Sequence, residues 1–229
     1  MTENTKKFIK FLSKFNIYIK DKNIIENSLI HPTYSYEQKL INNNQKLEFL
    51  GDSILGLVIA EYIFFKYKNK NEGELSKIKN FIVSKTSLVK VAKKIKLYDY
   101  LLVGKSEKKT GGKYKASIMA DAMESVFAAI YLDKGYKIVK KFIIKLFSSI
   151  FNDILNEGIN DYKTILQELV QKKYKKNIKY KILEKKGPDH NKIFKSGIYW
   201  NNKIISTGTG KNKKKSEIKA AKNAIKYFE

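Results

Sequence analysis

The chain has 229 residues, a formal net charge of +25 and no cysteine, and all 47 of its basic residues are lysine. This composition excludes a disulfide scaffold and a zinc site with thiolate ligands. The charge favours a polyanionic partner, and the 43% of hydrophobic residues suffices for a folded core. Because no apolar run approaches the ~20 residues of a membrane span, we expect a cytoplasmic protein that does not enter the membrane.

Residues 1–156 are predicted to form an all-α domain. Apolar residues at helical spacing predict four helices, over residues 47–67, 72–96, 117–133 and 137–155. The first of these is apolar on most faces, which indicates a buried central helix. A segment rich in glycine and lysine, residues 104–115, is predicted to be a loop that leads into the third helix.

The composition changes after residue 156, and residues 157–160 are predicted to be a linker. Residues 161–229 carry 19 lysines against 6 acidic residues, a higher charge density than in the first part. Helical spacing, three alternating segments and a second helix predict an α-β-β-β-α module, with Asn201-Asn202 as a tight turn. The fold class is therefore an all-α domain followed by a small α+β domain.

Two pairs of acidic residues lie within apolar helical segments. Glu48 and Asp52 are four residues apart, and Asp121 and Glu124 are three apart, so each pair shares one helical face. Burying such acids without a cation is costly, and magnesium prefers carboxylate ligands. Either pair alone is better explained by pairing with lysines at a partly exposed edge. The two pairs together favour a metal site, with Gly51 allowing a close approach to the helix.

A third acidic pair has a competing explanation. Glu72 and Glu74 begin a predicted helix, where negative charge favours the positive end of the helix dipole. That role accounts for Glu74. For Glu72 it competes with a supporting role in the metal site.

The residues around these acids resemble the signature of the ribonuclease III family. The resemblance rests on Gln45–Leu55, on the histidine segment Ser28–Thr33 and on Ile118–Ser125. The C-terminal module is similar to a double-stranded-RNA-binding domain in Asp161–Glu168, Gly187–His190 and Gly208–Lys214.

The resemblance implies a magnesium-dependent endoribonuclease that cleaves double-stranded RNA as a homodimer formed through the nuclease domain, with no organic cofactor. Manganese is expected to substitute for magnesium. Metal-activated water would attack the phosphodiester, leaving 5′-phosphate and 3′-hydroxyl ends with short 3′ overhangs, in the processing of rRNA and other structured transcripts. The implied metal ligands are Glu48, Asp52, Asp121 and Glu124. Of these, Asp52 and Glu124 would be catalytic, and Gln45 and Glu72 would support the site, although the family usually has glutamate where this chain has Gln45.

The shape of A-form RNA suggests how the module would bind, because its shallow minor groove displays 2′-hydroxyls. We expect the first helix to enter one minor groove, the loop after the first strand to enter the next, and lysines at the last helix to meet the phosphates between them. In chain order, these residues are Thr164, Gln167, Glu168, Pro188, His190, Lys211, Lys213 and Lys214.

Two other functions are compatible with the charge. One is a catalytically inactive protein that binds double-stranded RNA, and the other is a generic basic protein on nucleic acid or anionic membrane. The four central carboxylates are all present, and this favours the active enzyme.

Overall fold

The computed structural model of the chain describes residues 1–157, 162–188 and 192–228, leaving aside the side chains of residues 153, 155–157 and 164. The chain divides into two compact units, Met1–Leu155 and Asn156–Glu229. The last helix of the first unit extends to Glu157, the first residue of the predicted linker. Residues 158–160 of that linker lie outside the described residues.

The first unit is helical, as its sequence predicts. Its helices are α1 (Glu3–Ser13), α2 (Lys22–Leu29), α3 (Pro32–Glu37), α4 (Gln45–Lys66), α5 (Glu72–Ile82), α6 (Lys85–Lys94), α7 (Lys105–Lys109), α8 (Ala116–Lys134) and α9 (Tyr136–Glu157). Helices α4 and α8 pack along each other at the centre of the unit, and α2 and α6 also pack against α8. Among the described residues, no helix is both long enough and apolar enough to cross a bilayer.

Two segments of the first unit differ from the prediction. The single helix expected over residues 72–96 is divided into α5 and α6, because the hydroxyl of Ser84 accepts the Ser87 N–H and caps a new helix. The loop expected over residues 104–115 contains the short helix α7 and a 3₁₀ turn at Gly112–Tyr114. Both differences concern where helices begin, which apolar spacing does not encode.

The second unit has the predicted α-β-β-β-α order, which is that of a double-stranded-RNA-binding domain. Its elements are α10 (Tyr162–Tyr174), β1 (Lys179–Lys186), β2 (Ile193–Trp200), β3 (Lys203–Gly210) and α11 (Lys213–Phe228). The strands form an antiparallel sheet in the order β1-β2-β3. Asn201 and Asn202 have φ values of 48° and 63°, the left-handed conformation that a two-residue hairpin turn requires.

The core of this unit lies between the sheet and its two helices. Leu166 and Val170 of α10, Ile198 of β2 and Ala220 of α11 are fully buried there. Trp200 packs against the same core.

Glycines in β3 allow α11 to lie close to the sheet. A β-carbon on Gly208 would come within 2.2 Å of the Ala220 nitrogen, and one on Gly210 within 2.6 Å of the Ser216 nitrogen. The buried hydroxyls of Ser196 and Ser216 form a hydrogen bond of 2.6 Å across the same contact. This packing fixes the lysine-rich start of α11 at one end of β3.

Candidate active site and RNA-binding surface

The acidic residues meet where α4 crosses α8. A β-carbon on Gly51 would lie 1.9 Å from the carbonyl oxygen of Glu124, so only glycine allows this crossing. The expected close approach at Gly51 is therefore a contact between helices. It places Glu48, one turn before Gly51 on α4, beside the acids of α8.

Three of the four carboxylates form a compact cluster. Glu48, Asp121 and Glu124 each offer an oxygen atom, and these oxygens all lie within 4.8 Å of one another. All three residues are partly buried. We call these three residues the acidic cluster. Its oxygens are hard donors at a spacing that suits one small divalent cation.

Asp52 lies next to the acidic cluster but is not part of it. Its side chain is exposed and lines the same cavity of about 430 Å³ as Glu48 and Glu124. Gln45, the first residue of α4, lines this cavity as well. The structure therefore brings Gln45 and Asp52 to the site, with Asp52 on its solvent side.

Burial and mutual repulsion raise the pKa values of the acidic cluster. Burial, followed by the charges of Asp52, Asp121 and Glu48, raises the pKa of Glu124 to about 7. Burial raises the pKa of Glu48, with Asp121 as the second cause, and burial also raises the pKa of Asp121. The charged forms of these carboxyls are thus disfavoured, mainly by burial, and a bound cation would relieve that cost.

A hydroxyl group fixes α8 to the start of α4. The buried Ser125 Oγ lies 3.0 Å from the Asn44 carbonyl oxygen and 2.8 Å from that of Asp121. Asn44 is itself buried, and its N–H donates to the Ile30 carbonyl at 2.9 Å. These bonds hold the backbone around Asp121 and Glu48 in register.

Glu72 does not join the acidic cluster within one chain. It is exposed in the first turn of α5, where its carboxylate accepts a hydrogen bond of 2.8 Å from the Ser76 hydroxyl. Glu74 forms a capping box with Asn71, in agreement with its predicted structural role.

Sequence reasoning missed Lys85 as a residue of the site. The ammonium of Lys85, the first residue of α6, lowers the pKa values of Glu48, Asp121 and Glu124 and so opposes the effect of burial. Its proximity depends on the cap at Ser84 that starts α6, and the apolar pattern contained no sign of that boundary.

The first helix of the RNA-binding module presents a polar surface. Gln167 and Glu168 are exposed on α10 and line a groove together with Gln171 and Lys172. Gln171 was not predicted, although its spacing of four residues from Gln167 places it on the same face. The backbone of Thr164 lies in α10, and its side chain is outside the described residues.

The remaining predicted RNA contacts follow β1 and β3, whose last residues lie at the same end of the sheet because both pair with the start of β2. Pro188 is exposed just after β1, whereas His190 lies outside the described residues. Lys211, Lys213 and Lys214 are exposed at the start of α11. Asn212 caps this helix by accepting the Lys215 N–H at 2.8 Å.

Comparisons with known proteins agree with this architecture. A family model described as Ribonuclease-III-like matches residues 21–150, and the model of the double-stranded RNA binding motif matches residues 162–228. Ribonuclease 3 of Syntrophomonas wolfei is 42% identical over 216 residues, which cover 94% of this chain and 93% of that protein. Ribonuclease 3 of Borreliella burgdorferi is 42% identical over 229 residues, which cover 99% and 94%. The nuclease domain of ribonuclease III from Campylobacter jejuni, a solved structure, is 38% identical, covers 62% of this chain and 95% of its own, and has a TM-score of 0.57.

Fold, site and comparisons define a nuclease with an acidic centre and an attached domain that binds double-stranded RNA. The chain belongs to the ribonuclease III family and is an endoribonuclease of that type.

Proposed function

We propose that this protein is a magnesium-dependent endoribonuclease that cuts both strands of duplex RNA as a homodimer and processes rRNA and other structured cytoplasmic transcripts. The convergence of Glu48, Asp121 and Glu124 carries this proposal, because three partly buried carboxylates with oxygens within 4.8 Å of one another match what a divalent cation requires in a family of nucleases. The attached RNA-binding motif supports a duplex substrate.

The acidic cluster fits a hard divalent cation. Its donors are carboxylate oxygens, which Mg²⁺ and Mn²⁺ both accept, and burial raises the pKa of each of its three carboxyls. Glu48, Asp121 and Glu124 would hold the ion, and Asp52 would complete the negative environment from the solvent side. When bound, the ion would supply Lewis-acid activation of water and would neutralise charge on the phosphate.

The reaction is a hydrolysis. The oxygen of water forms a bond to phosphorus, the bond from phosphorus to the 3′ oxygen breaks, and the displaced oxygen takes a proton. The products therefore carry 5′-phosphate and 3′-hydroxyl ends. Asp52 and Glu124 face the cavity that the substrate would enter, and we assign to them the orientation of water and of the scissile phosphate.

The homodimer is supported by an exposed apolar stripe on α4. Phe49, Leu57 and Phe64 are all more than half exposed, and their spacing of eight and seven residues places them on one face of the helix. Phe65, which is also exposed, contacts the ring of Phe64 edge to face. A related nuclease domain from C. jejuni, 35% identical, was solved in a study of the region involved in its dimer formation. A dimer would place one acidic centre against each RNA strand, and the offset between the two cuts would leave a 3′ overhang.

The RNA-binding module is proposed to recognise the shape of the duplex. The exposed side chains of Gln167, Glu168 and Gln171 on α10 would contribute to its binding surface, together with Pro188 and the lysines Lys211, Lys213 and Lys214. Thr164 and His190 remain predicted contacts. Since the chain has no arginine, the bidentate contact of arginine with guanine is absent. Contacts to phosphates and 2′-hydroxyls should therefore dominate over sequence readout.

Incubation with a long RNA duplex, with and without Mg²⁺, tests the proposed function. We expect metal-dependent products with 5′-phosphate and 3′-hydroxyl ends, and no cleavage of a DNA duplex of the same sequence. Tight binding of the RNA duplex without cleavage at any metal concentration would instead identify an inactive RNA-binding protein. Equal affinity for the DNA and RNA duplexes at physiological salt would indicate a generic basic protein.

A further inference from the structure

The segment from Gly104 to Lys115, here called the basic loop, is bound at its start by side chains of α3. Thr33 Oγ1 accepts the Gly104 N–H at 3.0 Å, and the two carboxylate oxygens of Glu37 accept the Lys105 N–H at 2.7 and 2.8 Å. A β-carbon on Gly104 would lie 2.5 Å from Glu37 Oε1 and 2.9 Å from the Thr33 carbonyl oxygen. Glycine is thus required for α3 to hold the loop this closely.

His31 orders the threonine of this contact. Its Nδ1 accepts the Thr33 N–H at 3.3 Å and lies 2.8 Å from Thr33 Oγ1. Because Nδ1 accepts the Thr33 N–H, it carries no proton in this arrangement, and the Thr33 hydroxyl therefore donates to it. The backbone reinforces the contact, because the His31 N–H donates to the Leu102 carbonyl at 2.9 Å. We call the side chains of His31, Thr33 and Glu37 the α3 clamp.

The far end of the basic loop is fixed to the start of α8. Lys115, the residue before α8, forms an ion pair with Glu107 in the loop. A β-carbon on Gly112 would collide with Glu107, so the loop is closely packed on itself. Asp121 follows Lys115 along α8 by about 9 Å of helix rise. The charges of Glu107 and Asp121 both raise the pKa of His31, against the larger effect of burial. The α3 clamp, the basic loop and the acidic cluster therefore lie close together.

The basic loop carries positive charge that has no part in the hydrolysis proposed above. It contains five lysines and one acidic residue, and Lys105, Lys108 and Lys109 are exposed. An RNA backbone that approaches the acidic cluster is repelled by it. Lysines held at a fixed position beside the cluster would offset this repulsion without the entropic cost of ordering a free loop.

We propose that the α3 clamp is a positioning device, which holds the basic loop so that Lys105, Lys108 and Lys109 bind duplex phosphates beside the scissile bond. This inference rests on the proposed function, because it assumes that duplex RNA is cut at the acidic cluster. Thr33 and Glu37 are positioning residues that act through the lysines and do not touch the substrate.

The first test separates KM from kcat in full-length variants. We expect Thr33→Val and Glu37→Gln each to raise KM three- to tenfold with a smaller change in kcat, and Thr33→Ser, which keeps the hydroxyl, to restore the wild-type KM. Glu3→Gln, which changes an exposed glutamate of α1, is the matched control. Each clamp variant should also show a shallower dependence of log(kcat/KM) on log salt, since phosphate contacts are lost. An unchanged KM, or a loss that Thr33→Ser does not restore, would overturn the inference.

The second test asks whether the clamp acts through the loop lysines. Lys108→Ala/Lys109→Ala and Glu37→Gln are combined in one chain and compared with the separate variants. If the clamp positions these lysines, the combined variant should lose little more than the lysine variant alone. Additive losses would show that the clamp contributes only to stability.

A binding measurement distinguishes a failure of this inference from a failure of the proposed function. In the Glu124→Gln background, the Kd for an RNA duplex is measured across salt concentrations with and without Glu37→Gln. A weaker Kd and a shallower salt slope with Glu37→Gln would support the clamp even if the wild-type protein did not cut RNA. Identical Kd values and slopes would reject the clamp even if the wild-type protein cut RNA normally.

Discussion

Within the acidic cluster, Glu124 is the residue whose carboxylate should matter most for catalysis. It is the most strongly perturbed of the acids, and it faces both the other carboxylates and the cavity. We expect Glu124→Gln to lower kcat at least a hundredfold, because the amide keeps the shape of the side chain and removes its charge. Duplex binding should persist, since the RNA-binding module is unchanged. Single-turnover cleavage and a binding titration measure the two effects, with Glu3→Gln as the control, and wild-type cleavage by Glu124→Gln would contradict the site assignment.

The raised pKa of Glu124 also predicts how the stability of the metal-free protein depends on pH. Between pH 4.5 and about pH 7, the folded protein binds more protons at Glu124 than the unfolded chain does. The free energy of unfolding therefore falls as pH rises through that range. Without metal at pH 8, Glu124→Gln should therefore unfold at a temperature about 2 to 6 °C higher than wild type, after discounting for the solvent exposure of the group.

The same linkage predicts the effect of metal. Mg²⁺ should raise the melting temperature of the wild-type protein more at pH 8 than at pH 6, because protons compete with the ion for Glu124. Glu124→Gln should respond less to Mg²⁺ at pH 8. Thermal unfolding in EDTA and in Mg²⁺ at the two pH values measures both effects, and an equal response at pH 6 and pH 8 would show that Glu124 does not hold the ion.

At the scale of elements, the crossing of α4 and α8 depends on Gly51. Gly51→Ala should lower stability by about 1 to 3 kcal/mol or prevent folding, because its β-carbon would overlap the Glu124 carbonyl. Gly56, in the same helix, has only the flexible end of Lys79 nearby, at 3.7 Å. Gly56→Ala should therefore leave stability unchanged or raise it by up to about 1 kcal/mol, as alanine favours a helix. Denaturant unfolding of both variants tests this difference, and equal effects would contradict the close crossing.

The sequence predicted the helices well where buried apolar residues define them. It predicted them less well where a capping residue sets the helix boundary. The apolar pattern of α4 and α8 predicted two central helices that carry acids, and the structure has both. The pattern also runs without interruption through residues 72–96, where the cap at Ser84 divides the segment. The separation of Asp52 from the acidic cluster was not predictable either, since residues four apart share a face but differ in depth. Depth depends on where α8 crosses, and this follows from packing in three dimensions.

At the scale of the whole molecule, the nuclease unit and the RNA-binding module differ in the density of their positive charge. The first 160 residues carry 28 lysines against 16 acidic residues, and among those acids are the three carboxylates of the acidic cluster. The RNA-binding module has nearly the same net charge in fewer than half as many residues. Affinity for the polyanion should therefore come mainly from the module, whereas the proposed mechanism has a cation offset the acidic cluster before a phosphate approaches it.

The proposed homodimer would form through an exposed apolar stripe on α4. An exposed stripe of Phe49, Leu57 and Phe64 is costly in water, and it runs along the helix that also carries Glu48 and Asp52. We expect Leu57→Glu to convert the dimer into a monomer, because the new carboxylate would be buried without a partner at the centre of the stripe. Ile41→Glu, at a position 98% exposed away from α4, is the matched control and should remain dimeric. Sedimentation equilibrium measures the mass of each variant.

The cleavage products of the Leu57→Glu monomer provide a second test. If the two centres act on opposite strands, this monomer should nick one strand at a time and lose the uniform 3′ overhang. A monomer that still made paired cuts would show that one chain serves both strands.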